Sequence, residues 1–185
     1  MSPVGEARER LFAGVPIPER VSREIAAQLP DPLPGRPIPQ SKWHFTLRFL
    51  GSTAPDLSRQ FLESFRGASF GRAFDLRLEG LGGFPGIHRA RVLWIGTSQG
   101  ASELGEIAQR IDALAVREGF APETRQFNAH LTISRIEPPR SIDAIVRDGS
   151  KIRASMRVEE VILFRSHLGG GPSRYEELAR VTLDR

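Results

Sequence analysis

A chain of 185 residues with 39% hydrophobic and 26% charged residues has the balance of one globular unit or two tightly packed lobes, which excludes a fibrous or wholly disordered protein. It holds no cysteine, so disulfides, thiolate metal sites, iron–sulfur ligation and a cysteine nucleophile are excluded together. Basic residues exceed acidic ones by 26 to 22, and all but Lys42 and Lys151 are arginines, whose planar fork suits phosphate, although a compositional bias explains that excess equally well.

Arg10 to Ile17 reads as a first strand, an apolar run closed by proline. Val21, Ile25 and Leu29 then recur at helical spacing over Pro18 to Leu29. Five prolines between Pro30 and Ser41 predict an extended loop. Trp43 to Leu50 alternates, with Phe45, Leu47 and Phe49 facing one side and His44, Thr46 and Arg48 the other. A helix over Pro55 to Phe65 and a strand over Phe74 to Leu81 follow. Gly82 to Arg89 is turn chemistry, and Val92 to Gly96 is a further strand.

Ser102 to Glu118 carries the clearest helical stripe, with Ser102 as its cap. Phe127 to Ile136 repeats the earlier strand, with Leu131 and Ile133 on one face and His130, Thr132 and Ser134 on the other. A short helix near Ser141 to Arg147 and strands near Val158 to Ser166 and Tyr175 to Leu183 end the chain, the last two joined by Gly169 to Pro172. The mixture of short turns and helical connections predicts an α+β fold rather than a doubly wound parallel sheet. No apolar run nears the roughly 20 residues of a membrane span, and the charged N-terminus lacks the apolar core of a secretory signal. A cytoplasmic address with no membrane partner is expected.

Two of the four histidines share one frame, His44-Phe45-Thr46-Leu47 and His130-Leu131-Thr132-Ile133. With six threonines in the chain, a given histidine finds one two places on by chance about 3% of the time, so two such cases are not an accident of composition. Period-two geometry sets each histidine and its threonine on one strand face, about 7 Å apart. Two such strands facing across a cleft supply one imidazole to take a proton and another to give one near neutral pH. The threonine hydroxyls are placed to donate to phosphate oxygens.

At these residues the chain resembles the two-histidine (HxTx) phosphoesterases, in particular the RNA 2′,3′-cyclic phosphodiesterases also described as 2′-5′ RNA ligase-like proteins. The resemblance extends from Arg10-Leu11-Phe12 through Trp43 to Gly51, Arg91 to Gly96 and Phe127 to Ile133 with Arg135, and ends before Arg174-Tyr175. It implies one domain over 1–185 with two pseudo-symmetric lobes, each an antiparallel sheet with helices outside, and an active-site cleft between them that needs no metal or cofactor. The implied reaction is hydrolysis of an RNA terminal 2′,3′-cyclic phosphate to a 2′-phosphomonoester by a monomeric enzyme. His44 corresponds to the proton donor, His130 to the base, and Thr46, Thr132 and Arg135 to substrate-binding residues. Strict alternation puts Arg135 on the face opposite His130, so that role requires a bulge or the strand's end.

Phe12, Trp43 and Trp94 have the chemistry to stack a base, although aromatics within strand patterns usually belong to the core. Phe12, inside the resemblance, is carried forward as a substrate contact. Arg48 is read as a phosphate contact or a solvated residue. His88 and His167 read as solvated loop residues, and the run Gly169 to Gly171 lacks the lysine of a P-loop. Zinc on His44 and His130 would lack a third ligand. The alternatives are 2′-5′ RNA ligation, the reverse reaction, and a non-catalytic RNA-binding module.

Overall fold

The computed structural model describes residues 8–169 and 171–185, with side chains described outside 168–173. The start of the chain, read above for a secretory signal, and Gly170 of the glycine run lie outside the described residues. In chain order the elements are β1 (Glu9–Pro16), α1 (Glu19–Ala26), β2 (Arg36–Pro37), β3 (His44–Thr53), α2 (Pro55–Arg66), β4 (Phe74–Phe84), β5 (Ala90–Gln99), α3 (Ala101–Arg117), β6 (Leu131–Arg140), α4 (Asp143–Asp148), β7 (Arg153–Val158), β8 (Glu160–Gly169) and β9 (Gly171–Thr182).

The strands form one antiparallel sheet in the order β7-β4-β5-β6-β3-β1-β8-β9, with β2 paired to β6. That order reads outward alike from its centre. On one side β3 is followed by β1, β8 and β9; on the other β6 is followed by β5, β4 and β7. The halves meet where Phe45 lies opposite Leu131, the middle residues of the two repeated motifs. The fold is therefore α+β with two pseudo-symmetric lobes, each with its own four-stranded antiparallel block.

Phe45, Leu131 and Ile133 are fully buried, and they join one core with Phe61 and Phe65 of α2 and with Leu104, Ile107, Ile111 and Leu114 of α3. Burying each such side chain contributes about 1.5–3 kcal/mol. Helix α2 packs against β1 and β9, and α3 against β3 and β5. The apolar residues between each histidine and threonine thus anchor the strand, and the polar residues face the other way.

Four local features depart from the sequence reading, the first being that β4 continues through Gly82–Phe84, paired with β5, where turn chemistry was expected. Helix α3 is capped by Gly100 at φ 88°, where any Cβ would meet Leu76 Cδ1 at 2.8 Å, while Ser102 lies inside the first turn and bonds Glu103. The proline-rich loop contributes β2, which pairs Arg36 with Arg135. A strand that sequence periodicity missed, β7, precedes β8; its alternate burial rests on Ala154, Met156 and Val158, of which only the last signals a strand strongly.

Candidate active site

The site is made by two strands that depart from regular alternation at the same place. Along the β1–β3 ladder Gly14 pairs with Thr46 and Ala13 with Arg48, which leaves Leu47 as an extra residue. Along the β5–β6 ladder Trp94 pairs with Thr132 and Leu93 with Ser134, which leaves Ile133 as an extra residue. A bulge shifts the facing of everything after it by one. Arg48 and Ser134 consequently turn inward, 9% and 0% exposed, whereas strict alternation had put both beside the histidines. Phe49, expected in the core, is 52% exposed, and both Phe49 and Arg135 line the cleft.

The bulge brings Arg135 onto the face of His130 and Thr132. His44, Thr46, His130, Thr132 and Arg135 all line one cleft of about 910 Å³. Phe12 also reaches its wall, but it is 3% exposed and stacks on Phe164 at 5.0 Å. Trp43 is buried in the core. His88, outside the cleft, pairs with Asp143 at 3.0 Å, and His167 pairs with Glu176 at 2.6 Å.

Each imidazole is held in the same way. His44 Nδ1 donates to the Lys42 carbonyl at 2.7 Å, and His130 Nδ1 donates to the Asn128 carbonyl at 2.8 Å. A carbonyl only accepts, so Nδ1 carries a hydrogen in both rings and Nε2 is the nitrogen left to gain or lose a proton. Aromatic walls fix the ring planes: Phe12 at 4.9 Å and Tyr175 at 5.4 Å against His44, and Phe84 at 4.9 Å edge-on against His130.

Burial lowers both histidine pKa values below the ordinary 6.5, and the carbonyl hydrogen bonds oppose this in part. His44 is lowered further by the positive charges of Arg135 and His130. His44 therefore senses both Arg135 and His130 across the cleft. An anion placed among them reverses that effect, because negative charge favours the imidazolium. The arrangement supplies two protonatable nitrogens, two hydroxyls and one guanidinium around a space suited to an anion.

Arg48 holds the surrounding frame together. Its Nε meets Asp112 of α3 at 2.7 Å, and its guanidinium donates to the carbonyls of Phe49 at 2.6 Å and Ala121 at 2.5 Å. Glu123 lies 3.5 Å away. The segment so tied leads directly to Asn128 and His130, so Arg48 has a structural place rather than the phosphate contact considered from its motif.

The repeat visible in the fold is also visible to a family model. The model for LigT-like phosphoesterases matches twice in succession, over residues 15–94 and 95–173. This chain belongs to the LigT-like phosphoesterases. Its LigT-like relatives include a protein of Aeropyrum pernix named RNA 2′,3′-cyclic phosphodiesterase, 32% identical over 142 residues that cover 72% of this chain and 80% of the relative. Escherichia coli LigT in its apo form superposes with a TM-score of 0.76 at 25% identity, covering 97% of this chain and 100% of that one. The same E. coli protein complexed with 3′-AMP gives a TM-score of 0.75 at 26% identity over 96% and 99% of the two chains.

Two residues of this LigT-like cleft, Phe49 and Arg10, escaped the sequence reading as ligand-facing groups. Phe49 follows His44 by five residues, as Arg135, which was nominated, follows His130, so aligning the tails of the two motifs would have found it. Arg10 also lines the cleft, but no repeat of the motif points to it. Among the described residues no set of three or more His, Asp or Glu side chains is placed to hold a metal ion, and no helix is long and apolar enough to cross a membrane.

Proposed function

We propose that this protein hydrolyses the 2′,3′-cyclic phosphate at the end of an RNA to a 2′-phosphomonoester, without a metal, by acid–base catalysis from His44 and His130. The observation that carries this reading is the pair of imidazoles lining one cleft, each fixed through Nδ1 so that Nε2 is its working nitrogen. The names of its relatives, RNA 2′,3′-cyclic phosphodiesterases, support the substrate class.

In this reading Arg135, Thr46 and Thr132 hold the non-bridging oxygens of the cyclic phosphodiester. Its negative charge offsets the Arg135 charge that lowers the His44 pKa, so His44 becomes the protonated partner on binding. His130, whose pKa is lowered by burial without a charged contribution, remains neutral and takes a proton from water. The hydroxide equivalent attacks phosphorus, the bond to O3′ breaks, and His44 protonates O3′ as it leaves. Hydroxyls and guanidinium stabilise the charge that builds on the equatorial oxygens. Two histidines alone fall short of the three protein ligands a catalytic zinc takes, and among the described residues no such set is placed.

We take the protein to be a monomeric enzyme, one domain over 1–185, with both histidines, both threonines and Arg135 lining one cleft. We assign the protein to the cytoplasm. The test is incubation of the protein with cyclic-phosphate-terminated RNA in excess EDTA, with products resolved by phosphorus NMR. A 2′-phosphomonoester at undiminished rate, lost in His44→Ala and His130→Ala, is the expected result. Loss of turnover under chelation, or turnover surviving either substitution, overturns the mechanism.

A further inference from the structure

Beyond the histidines the cleft wall runs along β1, where residues opposite one another on three neighbouring strands form rows. Level with Gly14 is Thr46. The next row outward is aromatic: Phe164, Phe12 and Phe49 stand side by side on β8, β1 and β3, with Phe12 stacked on Phe164 at 5.0 Å and 6.0 Å from Phe49. The row after that is Ser166, Arg10 and Ser52. Residues two apart along a strand share a face about 7 Å from one another, so the threonine, aromatic and arginine rows succeed each other at that interval.

The outermost row is built for an anion. Arg10 is exposed on the cleft wall, and its flanking side chains are two small hydroxyls that leave the guanidinium uncovered. Arg8, two residues before it on the same face, reaches Ser52 Oγ at 3.0 Å and adds a second positive charge. The nearest carboxylate in sequence, Glu9, points to the other face, where Arg165 takes it at 2.6 Å. Phe49, in the row between, is among the described residues the one large apolar side chain of the wall left broadly open, and any base offers its face to such a ring.

We propose that this wall is a binding track for the RNA strand leading to the reacting end. Phe49 stacks the terminal base, and Arg10 with Ser52 and Ser166 holds the phosphodiester on its 5′ side. The proposal rests on the cyclic phosphate lying at His44 and His130, and it names the substrate class more narrowly: an oligonucleotide rather than a cyclic mononucleotide.

The test compares a 2′,3′-cyclic mononucleotide lacking a 5′ phosphate with a trinucleotide ending in the same group. The wild-type protein favours the trinucleotide in kcat/KM by roughly tenfold, and Arg10→Gln brings that preference towards unity. Phe49→Ala raises KM for both substrates while kcat changes little. A wild-type preference absent, or intact in Arg10→Gln, overturns the track, as does an unchanged KM in Phe49→Ala.

Binding reads the track apart from catalysis. The trinucleotide ending in a 2′-phosphomonoester, followed by fluorescence anisotropy across a salt series, should lose about one unit of salt slope in Arg10→Gln. If the protein turns over neither substrate yet shows that loss, the hydrolytic reading fails and the track stands. Equal slopes in wild type and variant sink the track whatever the turnover.

Discussion

Phe49 and Arg135 occupy the same position in the two halves of the molecule. Each follows its histidine by five residues and is turned into the cleft by one extra residue, Leu47 in β3 and Ile133 in β6. The shared bulge makes the halves alike in backbone, and the two side chains make them unlike in chemistry. One half offers a ring, and the other a positive charge.

Arg135→Gln removes that charge and leaves a shorter, neutral polar side chain. On the proposed chemistry kcat/KM falls about 100-fold, the usual loss when one donor to a developing anion is removed. Arg135→Lys recovers only part of it, because an ammonium lacks the bidentate fork. The same Gln variant raises the His44 pKa, since a neighbouring positive charge is gone, though burial still holds it under 6.5. Steady-state kinetics and an NMR titration of His44 check both.

Acidification tests the burial of the two imidazoles. Their folded pKa values lie below 6.5, so between those values and 6.5 the unfolded chain binds more protons than the folded one. Stability is therefore fully present above pH 6.5 and is lost as pH falls towards the folded values. Thermal melts at pH 7.5 and pH 5.5 should differ in that direction, and a His44→Phe variant should show a smaller difference. In kinetics, kcat/KM reports the free enzyme and should peak on the acid side of 6.5. The kcat profile, reporting the phosphate-bound enzyme, should extend to higher pH.

Gly14 lies against the first histidine. A Cβ there would stand 2.7 Å from the Phe45 carbonyl and 3.3 Å from His44 Cδ2, so β1 can lie this close to β3 only without a side chain. Gly14→Ala should lower kcat through displacement of the His44 ring, with a drop in melting temperature of a few degrees from the crowded ladder. A variant with full activity and an unchanged melt would refute this account of the close approach.

Arg48→Met strips Asp112, Ala121 and Glu123 of their common partner. A buried pair broken on one side costs about 3–5 kcal/mol, and the low end applies because both carboxylates reach water. Chemical denaturation should register that loss. The variant's His130 resonance should also shift, since the freed segment carries Asn128, whose carbonyl orients that ring.

The motifs and the strands that carry them were legible because alternation is a local property. His44, Thr46, His130 and Thr132 precede both bulges, so strict period two places them correctly. After the bulges strict alternation is out by one position: Arg48 and Ser134 were assigned to the polar face and Phe49 to the core, while Arg135 was kept for the cleft only on condition of a bulge. A bulge depends on the register with a neighbouring strand, which no single strand's residues record. Strand β2 was hidden for a similar reason, because its pairing with β6 rests on tertiary placement of a proline-rich segment. The central meeting of Phe45 with Leu131 is equally a matter of topology, although the repeated motif foretold that the two strands would be equivalent.

The carbonyls of Lys42 and Asn128 have a consequence for the direction of the chemistry. With the inner nitrogen of each ring committed, a turnover on the proposed chemistry moves one proton off His44 and one onto His130, leaving the pair in the mirror image of its starting charge state. That end state is the starting state for the opposite conversion, in which the 3′-hydroxyl gives its proton to His44 and attacks phosphorus while the departing hydroxide takes one from His130 and leaves as water. Between hydrolytic cycles the two outer nitrogens must therefore re-equilibrate with solvent, and a site closed to water during that interval would run backward as readily as forward.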